Sequence, residues 1–330
     1  MSRPDLGSYV GVSYAQLARL DAVPCDIFVS AGARKTLYAS TGIDPAILRG
    51  KAAAGVPLYV REGDQDALRR TLPMSLSRTF ADKSLTPADR SRQAYEMTAA
   101  VVAGTLKMHG RFDRDEASLV GETVDTLTKV LAQDDEQLWG MVASMQRNLS
   151  VHHHAINSAL YALALGKASG VSDEARLGDI GRGALLMDIG LTTIPVETLN
   201  KAEGLKDYER DAIRRHPDNG AKIVSRASIT GETPSYARTI REHHERLDGS
   251  GFPRGLKGGE IGDDSRIVAI VDAFGMLTSE RPGISAKSAF EALQDMRFNQ
   301  RGQFDDGYLA PFVKLLGGWE VMKYRGSGAA

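Results

Sequence analysis

The residues of this chain best suited to chemistry are histidines and aspartates in its second half. Six of the seven histidines lie after residue 150, and two of them, His243 and His244, are adjacent at the end of a predicted helix. A glycine-rich turn and Pro253 follow directly, so both imidazoles lie beside irregular backbone that can line a cleft. The segment therefore predicts a functional site rather than part of the hydrophobic core.

Two aspartates occur inside apolar helical segments of the same half. Asp188 lies in Leu-Leu-Met-Asp-Ile-Gly, and Asp272 lies in Ile-Val-Ala-Ile-Val-Asp-Ala-Phe. A carboxylate among such side chains is costly to bury unless a positive charge accompanies it, and a metal cation is the usual solution. The candidate ligands are therefore these two acids and the imidazoles of His154, His216, His243 and His244.

This set of side chains suits a particular class of metal. Imidazoles and carboxylates without thiolates favour first-row divalent ions such as Fe, Mn, Ni or Zn, and the set is large enough for one or two ions. Such a centre polarises a phosphoryl oxygen and activates water, which makes phosphodiester hydrolysis the natural reaction. Each histidine alone could equally be a polar residue at a helix end, but the whole set favours a metal centre.

Composition excludes several other classes of protein. The chain has 330 residues, 42% of them hydrophobic and 25% charged, and a formal net charge of −1. This balance gives no reason to expect non-specific binding to nucleic acid or to an anionic membrane. The single cysteine, Cys25, rules out an intrachain disulfide and fits a reducing compartment. We find no membrane-spanning run and no secretion signal, so we expect a cytoplasmic protein.

The expected fold class is mostly α. Residues 1–75 are predicted to form a small α/β accessory or regulatory module, with strands at 25–30, 35–40 and 57–61 and a helix from the Asp44 cap to Gly50. Further along the chain we predict a helical linker or bundle at 76–149, an all-α domain at 150–320 and a flexible tail at 321–330. The middle segment either links the two ends or mediates self-association as a homodimer.

The second half resembles the HD-GYP family of the HD superfamily. The resemblance covers about residues 150–317, with the motifs in the family's order and spacing. The motifs are Leu-Leu-Met-Asp188-Ile-Gly, His216-Pro-Asp-Asn-Gly, His243-His244-Glu-Arg-Leu-Asp-Gly-Ser-Gly251-Phe252-Pro253, Arg-Ile-Val-Ala-Ile-Val-Asp272 and Leu-Thr-Ser-Glu-Arg281-Pro.

The resemblance implies an all-α metal-dependent domain that hydrolyses cyclic di-GMP to pGpG and GMP, preceded by a variable regulatory module. It implies that His154 and Asp272 bind a first ion, that Asp188 bridges two ions as the central catalytic ligand, and that His216, His243 and His244 bind the second. It further implies ligand contacts at Gly251, Phe252 and Pro253, where Phe replaces the family's tyrosine, and a phosphate contact at Arg281.

Four positions depart from the family pattern. Met187 replaces a histidine ligand, Leu191 a phosphate-binding lysine, Gly275 an acid and Ser150 a glutamate. A thioether binds these ions poorly, and each lost electrostatic contact in such a site costs about 3 to 4 kcal/mol of transition-state stabilisation. The second-ion shell is complete and the first is not, so we predict a degenerate member with little phosphodiesterase activity.

Three functions remain open at this point. The first is a receptor for cyclic di-GMP or pGpG, or a docking partner for GGDEF-type cyclases and other signalling proteins. The second is an active metal-dependent cyclic di-GMP phosphodiesterase with an altered metal shell. The third is a structural helical module that binds no metal.

Overall fold

The structure is a computed structural model. It describes residues 8–12, 14–32, 34–107, 112–145, 150–201, 204–280 and 284–326. These residues are mostly helical, with one small antiparallel sheet near the N-terminus, so the expected fold class is confirmed.

The N-terminal module contains a four-stranded sheet. Its strands are β1 (Tyr9–Val12), β2 (Ile27–Ala31), β3 (Arg34–Ala39) and β4 (Leu58–Arg61), in the spatial order β1-β4-β2-β3 with antiparallel neighbours. The sequence predicted β2, β3 and β4 but not β1. Strand β1 has only four residues, one of them glycine, and its extended conformation depends on pairing with β4, which is distant in sequence.

The predicted helix after Asp44 is present, but its predicted end is wrong. The Asp44 carboxylate accepts a hydrogen bond from the Ala46 amide at 2.8 Å, and a 3₁₀ turn, Pro45–Leu48, continues into helix α2, Arg49–Ala53. The helix passes through Gly50. Its end lies near Gly55, which has φ +67°, and a glycine with positive φ is what stops a helix.

The module has its own hydrophobic core beneath the sheet. Helix α1 (Tyr14–Leu17) and the adjoining loop contribute to it, and Cys25 is one of the buried members. Burial raises the pKa of the Cys25 thiol to about 11, so it is a packing residue rather than a nucleophile. The core consists of Leu17, Leu20, Val23, Cys25, Ile27, Ala39, Leu48, Leu58, Val60 and Leu68.

The rest of the chain is helical. The helices are α3 (Gln65–Arg69), α4 (Leu72–Ala81), α5 (Pro87–Lys107), α6 (Arg114–Gln133), α7 (Asp135–Ala143), α8 (Val151–Ala168), α9 (Glu174–Leu186), α10 (Val196–Leu199), α11 (Asp207–Arg214), α12 (His216–Arg226), α13 (Tyr236–Glu242), α14 (Asp263–Leu277), α15 (Ala289–Gln294) and α16 (Asp306–Gly326). Further 3₁₀ turns lie at Glu62–Asp64, Ile189–Thr193 and Gly258–Glu260, and a π-helical turn at Asp295–Asn299.

One hydrophobic core joins the helices on both sides of residue 150. Leu127 of α6, Met141 of α7, Ile156 of α8, Val271 of α14 and Phe312 of α16 all belong to it and are fully or almost fully buried. The predicted boundary at 150 therefore separates two helical segments that share a core. Helix α16 also runs into the segment 321–330 that we expected to be a flexible tail.

The N-terminal module is fastened to the helices by charged side chains. Arg69 of α3 forms a buried bidentate ion pair with Glu116 of α6, in which Nη1 donates to Oε2 at 2.8 Å. Gly104 of α5 leaves room for it, because a Cβ there would lie 2.5 Å from Arg69 Cδ. A second pair, Arg70 with Asp115, lies on the surface at 3.2 Å. Of the two pairs, the buried one contributes more to fixing the position of the module against the helices.

Among the described helices, none is both long and apolar enough to cross a membrane. The cytoplasmic location stays a prediction.

We expect Glu116→Ala to destabilise the fold by about 3 to 5 kcal/mol, because it leaves the Arg69 guanidinium buried without a counter-charge. Urea denaturation measures the free energy of unfolding. Asp115→Ala, which removes the surface pair, is the matched control and should cost less than about 1 kcal/mol. Equal costs for the two variants would contradict the role given to the buried pair.

Candidate metal centre

His154 enters the site from the first turn of α8. The helix begins at Ser150, whose Oγ accepts a hydrogen bond from the His153 amide at 3.3 Å, and Ser150 thus caps the helix where the family has a glutamate. His154 is buried, and its Nε2 lies 3.1 Å from Asp272 Oδ1 and 3.9 Å from Asp188 Oδ2. The neighbouring His153 instead stacks on Tyr95, with ring centroids 6.3 Å apart.

Asp188 is positioned by a close approach of two backbone segments. It lies between α9 and the 3₁₀ turn Ile189–Thr193, which packs on α12. A Cβ on Gly190 would lie 2.0 Å from the His216 carbonyl oxygen, so only glycine permits this contact. As a result Asp188 Oδ1 lies 3.2 Å from His216 Nε2.

The rings of His216 and His243 are oriented in the same way. His216 Nδ1 lies 2.7 Å from the Ile213 carbonyl oxygen, and His243 Nδ1 lies 2.7 Å from the Ile240 carbonyl oxygen. Because a carbonyl only accepts hydrogen bonds, each Nδ1 must carry the proton, and in the neutral ring Nε2 is then a bare lone pair. These two Nε2 atoms are 3.2 Å apart. Metal-binding histidines usually donate the N–H of the remote ring nitrogen to a carbonyl or carboxylate in this way, which fixes the orientation of the ring.

His244 and Asp272 complete the cluster. His244 Nδ1 lies 3.2 Å from Asp272 Oδ2, and the other oxygen of the same carboxylate contacts His154. On its outer face the His244 ring packs against Phe252, with centroids 4.5 Å apart. Asp188 and Asp272 thus tie together all four imidazoles that the sequence singled out.

The tightest part of the cluster is a four-residue group. One ligand atom from each of Asp188, His216, His243 and His244 lies within 4.8 Å of the others. These are the residues that the resemblance assigns to the second ion. His154 and Asp272 adjoin the group on its other side, through the contacts of His154 with both acids.

The protonation of the cluster follows from its charges. Burial raises the carboxyl pKa of Asp188 and Asp272, but their contacts with the imidazoles outweigh burial and hold both values below the usual range. Burial also opposes charge on His216, yet Asp188 prevails and raises the pKa of that imidazole. For His243, burial and the neighbouring imidazoles lower the pKa well below its usual value. The acids are therefore ionised and His243 is neutral, as metal ligands must be.

These residues fit a divalent cation. When both rings are neutral, the facing Nε2 lone pairs of His216 and His243 repel each other, and two carboxylates in a buried site need positive charge. A cation held by Asp188, His216, His243 and His244 removes both costs. Imidazole and carboxylate donors match the first-row divalent ions predicted from the sequence, without selecting one of them.

Two buried glutamates that the sequence analysis missed hold the backbone that follows the histidine pair. Glu245 accepts hydrogen bonds from the Arg254 amide at 2.8 Å and the Leu256 amide at 3.0 Å, and Glu242 accepts from the Gly262 amide at 2.9 Å. A signal was present, because acids flanking a histidine pair before a glycine-rich turn can accept from its free backbone amides.

The turn itself packs closely on the histidine segment. A Cβ on Gly251 would lie 2.5 Å from the His244 carbonyl oxygen, and the next residue, Phe252, donates its amide to that oxygen at 3.2 Å. This places the Phe252 ring on His244. Pro253 follows through a cis peptide bond.

The positions that depart from the family lie in different surroundings. Met187 is fully buried and belongs to the hydrophobic core, whereas Leu191 is partly exposed. A Cβ on Gly275 would lie 3.0 Å from His154 Cε1, and Gly275 lines a cavity of about 870 Å³ between α7, α8 and α14–α16. Arg281 lies outside the described residues.

Known proteins are similar to this chain in sequence and in fold. The HD domain family model matches residues 125–307. The cyclic di-GMP phosphodiesterase PA4108 of Pseudomonas aeruginosa is 29% identical over 200 residues, covering 61% of this chain and 47% of the relative. The 3'3'-cGAMP-specific phosphodiesterase 3 of Vibrio cholerae is 32% identical over 163 residues, covering 49% and 35%. The chain thus spans less than half the length of these two relatives.

A solved structure supports the fold. Bd1817, an HDG"Y"P protein from Bdellovibrio bacteriovorus, superposes with a TM-score of 0.66 at 14% identity, covering 94% of this chain and all of that one. The matched family model spans more than half of the sequence and includes every residue of the cluster. The chain belongs to the HD domain family.

We expect Asp188→Asn to weaken Mn²⁺ binding by about 100-fold or more, since losing a residue that only hydrogen-bonds to a metal ligand already costs about 10- to 100-fold. Titration calorimetry of metal-free protein measures the affinity. Asp218→Asn is the matched control, because Asp218 is on α12 near the site but pairs with Arg241 at 3.4 Å. Equal Mn²⁺ affinity of Asp188→Asn and wild type would contradict the assignment of Asp188 as a metal ligand.

Proton competition at His216 generates a pH prediction. Its raised pKa stabilises the metal-free fold below about pH 6.5 and loses that contribution as pH rises through the folded-state pKa. Because a metal ion must displace this proton, Mn²⁺ affinity should increase between about pH 6 and pH 8, with protons released on binding. Calorimetry in buffers of different ionisation enthalpy counts the protons. If Mn²⁺ binding releases no protons and its affinity does not change with pH, His216 is neutral and the prediction is contradicted.

Proposed function

We propose that this chain binds a cyclic dinucleotide, with cyclic di-GMP as the first candidate, at the centre formed by its histidines and aspartates, and that it hydrolyses this ligand weakly. The observation that carries the proposal is the asymmetry of the cluster. Asp188, His216, His243 and His244 form a compact group of four donors. The other side has only His154 and Asp272 with a shared Asp188, and the side chain of Met187 lies in the core.

The compact group would hold one divalent ion, and His154 with Asp272 would hold a second one less tightly. A bound divalent ion supplies Lewis acidity that polarises a phosphodiester. The residues of the chain itself do the rest. Asp188 and Asp272 hold the imidazoles in place, and the backbone carbonyls of Ile213 and Ile240 keep the ring nitrogens aimed inward.

The relatives support the ligand class. One is named for cyclic di-GMP and the other for 3'3'-cGAMP, and both ligands are cyclic dinucleotides with two phosphodiesters. The linear product pGpG keeps one phosphodiester and carries a terminal phosphate, and it is a second candidate ligand. Docking of GGDEF-type cyclases and homodimer formation belong to the same signalling role and remain proposals.

Active hydrolysis is the second candidate function, and one observation favours it. His154 still contacts both carboxylates, so the two halves of the cluster form a continuous set of donors. A second ion with fewer protein ligands can remain functional if the bound phosphodiester completes its shell.

Hydrolysis of cyclic di-GMP by manganese-loaded protein, measured as chromatographic release of pGpG, distinguishes the two. We expect wild type to bind the ligand in calorimetry but to turn it over only slightly faster than Asp188→Ala does. Restoring an imidazole with Met187→His should raise the rate at least about tenfold, since one electrostatic contact in a site is worth about that or more. Met187→Leu keeps the core apolar and should give no increase.

Wild-type turnover far above that of Asp188→Ala would establish the phosphodiesterase instead. Protein that binds neither metal nor nucleotide would leave only the structural module. Thermal denaturation of the Met187 variants shows whether each remains folded.

A further inference from the structure

We propose that Arg214 is a phosphate-binding residue of this site and holds the part of the ligand that lies away from the metal centre. The inference rests on the proposed function, because it concerns the same ligand. Arg214 is the last residue of α11, two positions before His216. Its guanidinium lies 4.9 Å from the centroid of the Phe252 ring.

The exposure of the cluster shows from which side a ligand must approach. The side chains of Asp188 and His244 are 12% and 19% exposed, whereas those of His154, His216, His243 and Asp272 are between 0% and 4% exposed. Solvent therefore reaches the donors on the side of Asp188 and His244.

Phe252 connects Arg214 to His244, the most exposed histidine of the cluster. The Phe252 ring packs on His244 with centroids 4.5 Å apart. The Arg214 guanidinium packs on the same Phe252 ring. A ligand that reaches the donors past His244 therefore passes beside Phe252 and comes near Arg214. Because its described contact is with Phe252 and not with a donor of the cluster, Arg214 suits a distal group of the ligand rather than the group at the donors.

The guanidinium is held in place without using its hydrogen-bond donors. Stacking on an aromatic ring uses the face of the guanidinium and leaves its N–H edges available. Within the described parts of the chain, Arg214 has no carboxylate at ion-pair distance, while Arg210 pairs with Asp207 and Arg241 pairs with Asp218. Arg214 is also exposed. It is thus an oriented cation whose donors can serve a ligand.

An anionic phosphate is the group that this arrangement suits. The planar fork of an arginine matches two phosphate oxygens, and such charge-assisted contacts are among the stronger hydrogen bonds. A dinucleotide with one phosphodiester at the donors carries a second phosphate at the distance of a nucleotide, and Arg214 would bind that second group. Phe252, in turn, is a positioning residue that acts by holding the guanidinium.

The test compares Arg214→Gln with Arg215→Gln, the adjacent arginine, which is likewise exposed but is not the cation that lies over the Phe252 ring. Calorimetry uses manganese-loaded full-length chain with cyclic di-GMP and, separately, pGpG as probes. We expect Arg214→Gln to weaken binding at least about tenfold, the usual size of one charge-assisted contact, and Arg214→Lys to recover part of the loss. Arg215→Gln should bind like wild type.

A second measurement excludes a merely structural effect. Mn²⁺ affinity and thermal stability should be the same in wild type and Arg214→Gln, because Arg214 is not a ligand of the centre. The loss of nucleotide affinity should also shrink at high salt, which screens exposed charges.

The outcomes separate this inference from the proposed function. Binding of cyclic di-GMP that is equal in Arg214→Gln and Arg215→Gln overturns the role of Arg214 and leaves the proposed function standing. If the protein binds pGpG in an Arg214-dependent way but does not bind cyclic di-GMP, the phosphate-binding role of Arg214 is supported and cyclic di-GMP is excluded as the ligand. Wild type that binds neither probe overturns both.

Discussion

The carboxylate of Asp188 lies in an apolar helical core with three imidazoles around it, and the arrangement of the second half depends on balancing its charge. Oδ1 and Oδ2 contact His216 at 3.2 Å and His154 at 3.9 Å, and His243 lies 3.9 Å from Oδ1. Protonated imidazoles balance a carboxylate only while they stay charged, and burial suppresses the charge of His243. A divalent cation balances it at any pH where the imidazoles are neutral.

Backbone packing rather than side-chain length brings these donors together. Gly190 lets the turn after Asp188 touch α12, and Gly251 lets the turn after the histidine pair fold back on His244. Glu245 then fixes that turn through the Arg254 and Leu256 amides, and Glu242 accepts a hydrogen bond from the Arg254 guanidinium. Ligands from five helical segments are thereby held without any of them reaching across a cavity, which is the pre-organisation that a binding centre requires.

The sequence was sufficient for the parts of the fold that local chemistry determines. Helical periodicity and capping residues such as Asp44 predicted the elements, and isolated acids in apolar runs identified Asp188 and Asp272 as candidates. It was insufficient where long-range contacts decide. Strand β1 exists through its pairing with β4, the core crosses residue 150, and the contact between Arg214 and Phe252 joins segments far apart in the chain. Hydrophobic periodicity indicates local secondary structure and does not predict such contacts.

Membership of the HD domain family and the geometry of the cluster both support the proposed metal centre at Asp188. The most direct test is anomalous diffraction from crystals of the manganese-loaded protein. We predict an anomalous peak at about 2.0 to 2.2 Å, the usual distance for such donors, from a carboxylate oxygen of Asp188 and from Nε2 of His216 and His243. A peak confined to His152 and His153, or no ordered ion at Asp188 in protein that has bound manganese, would contradict it.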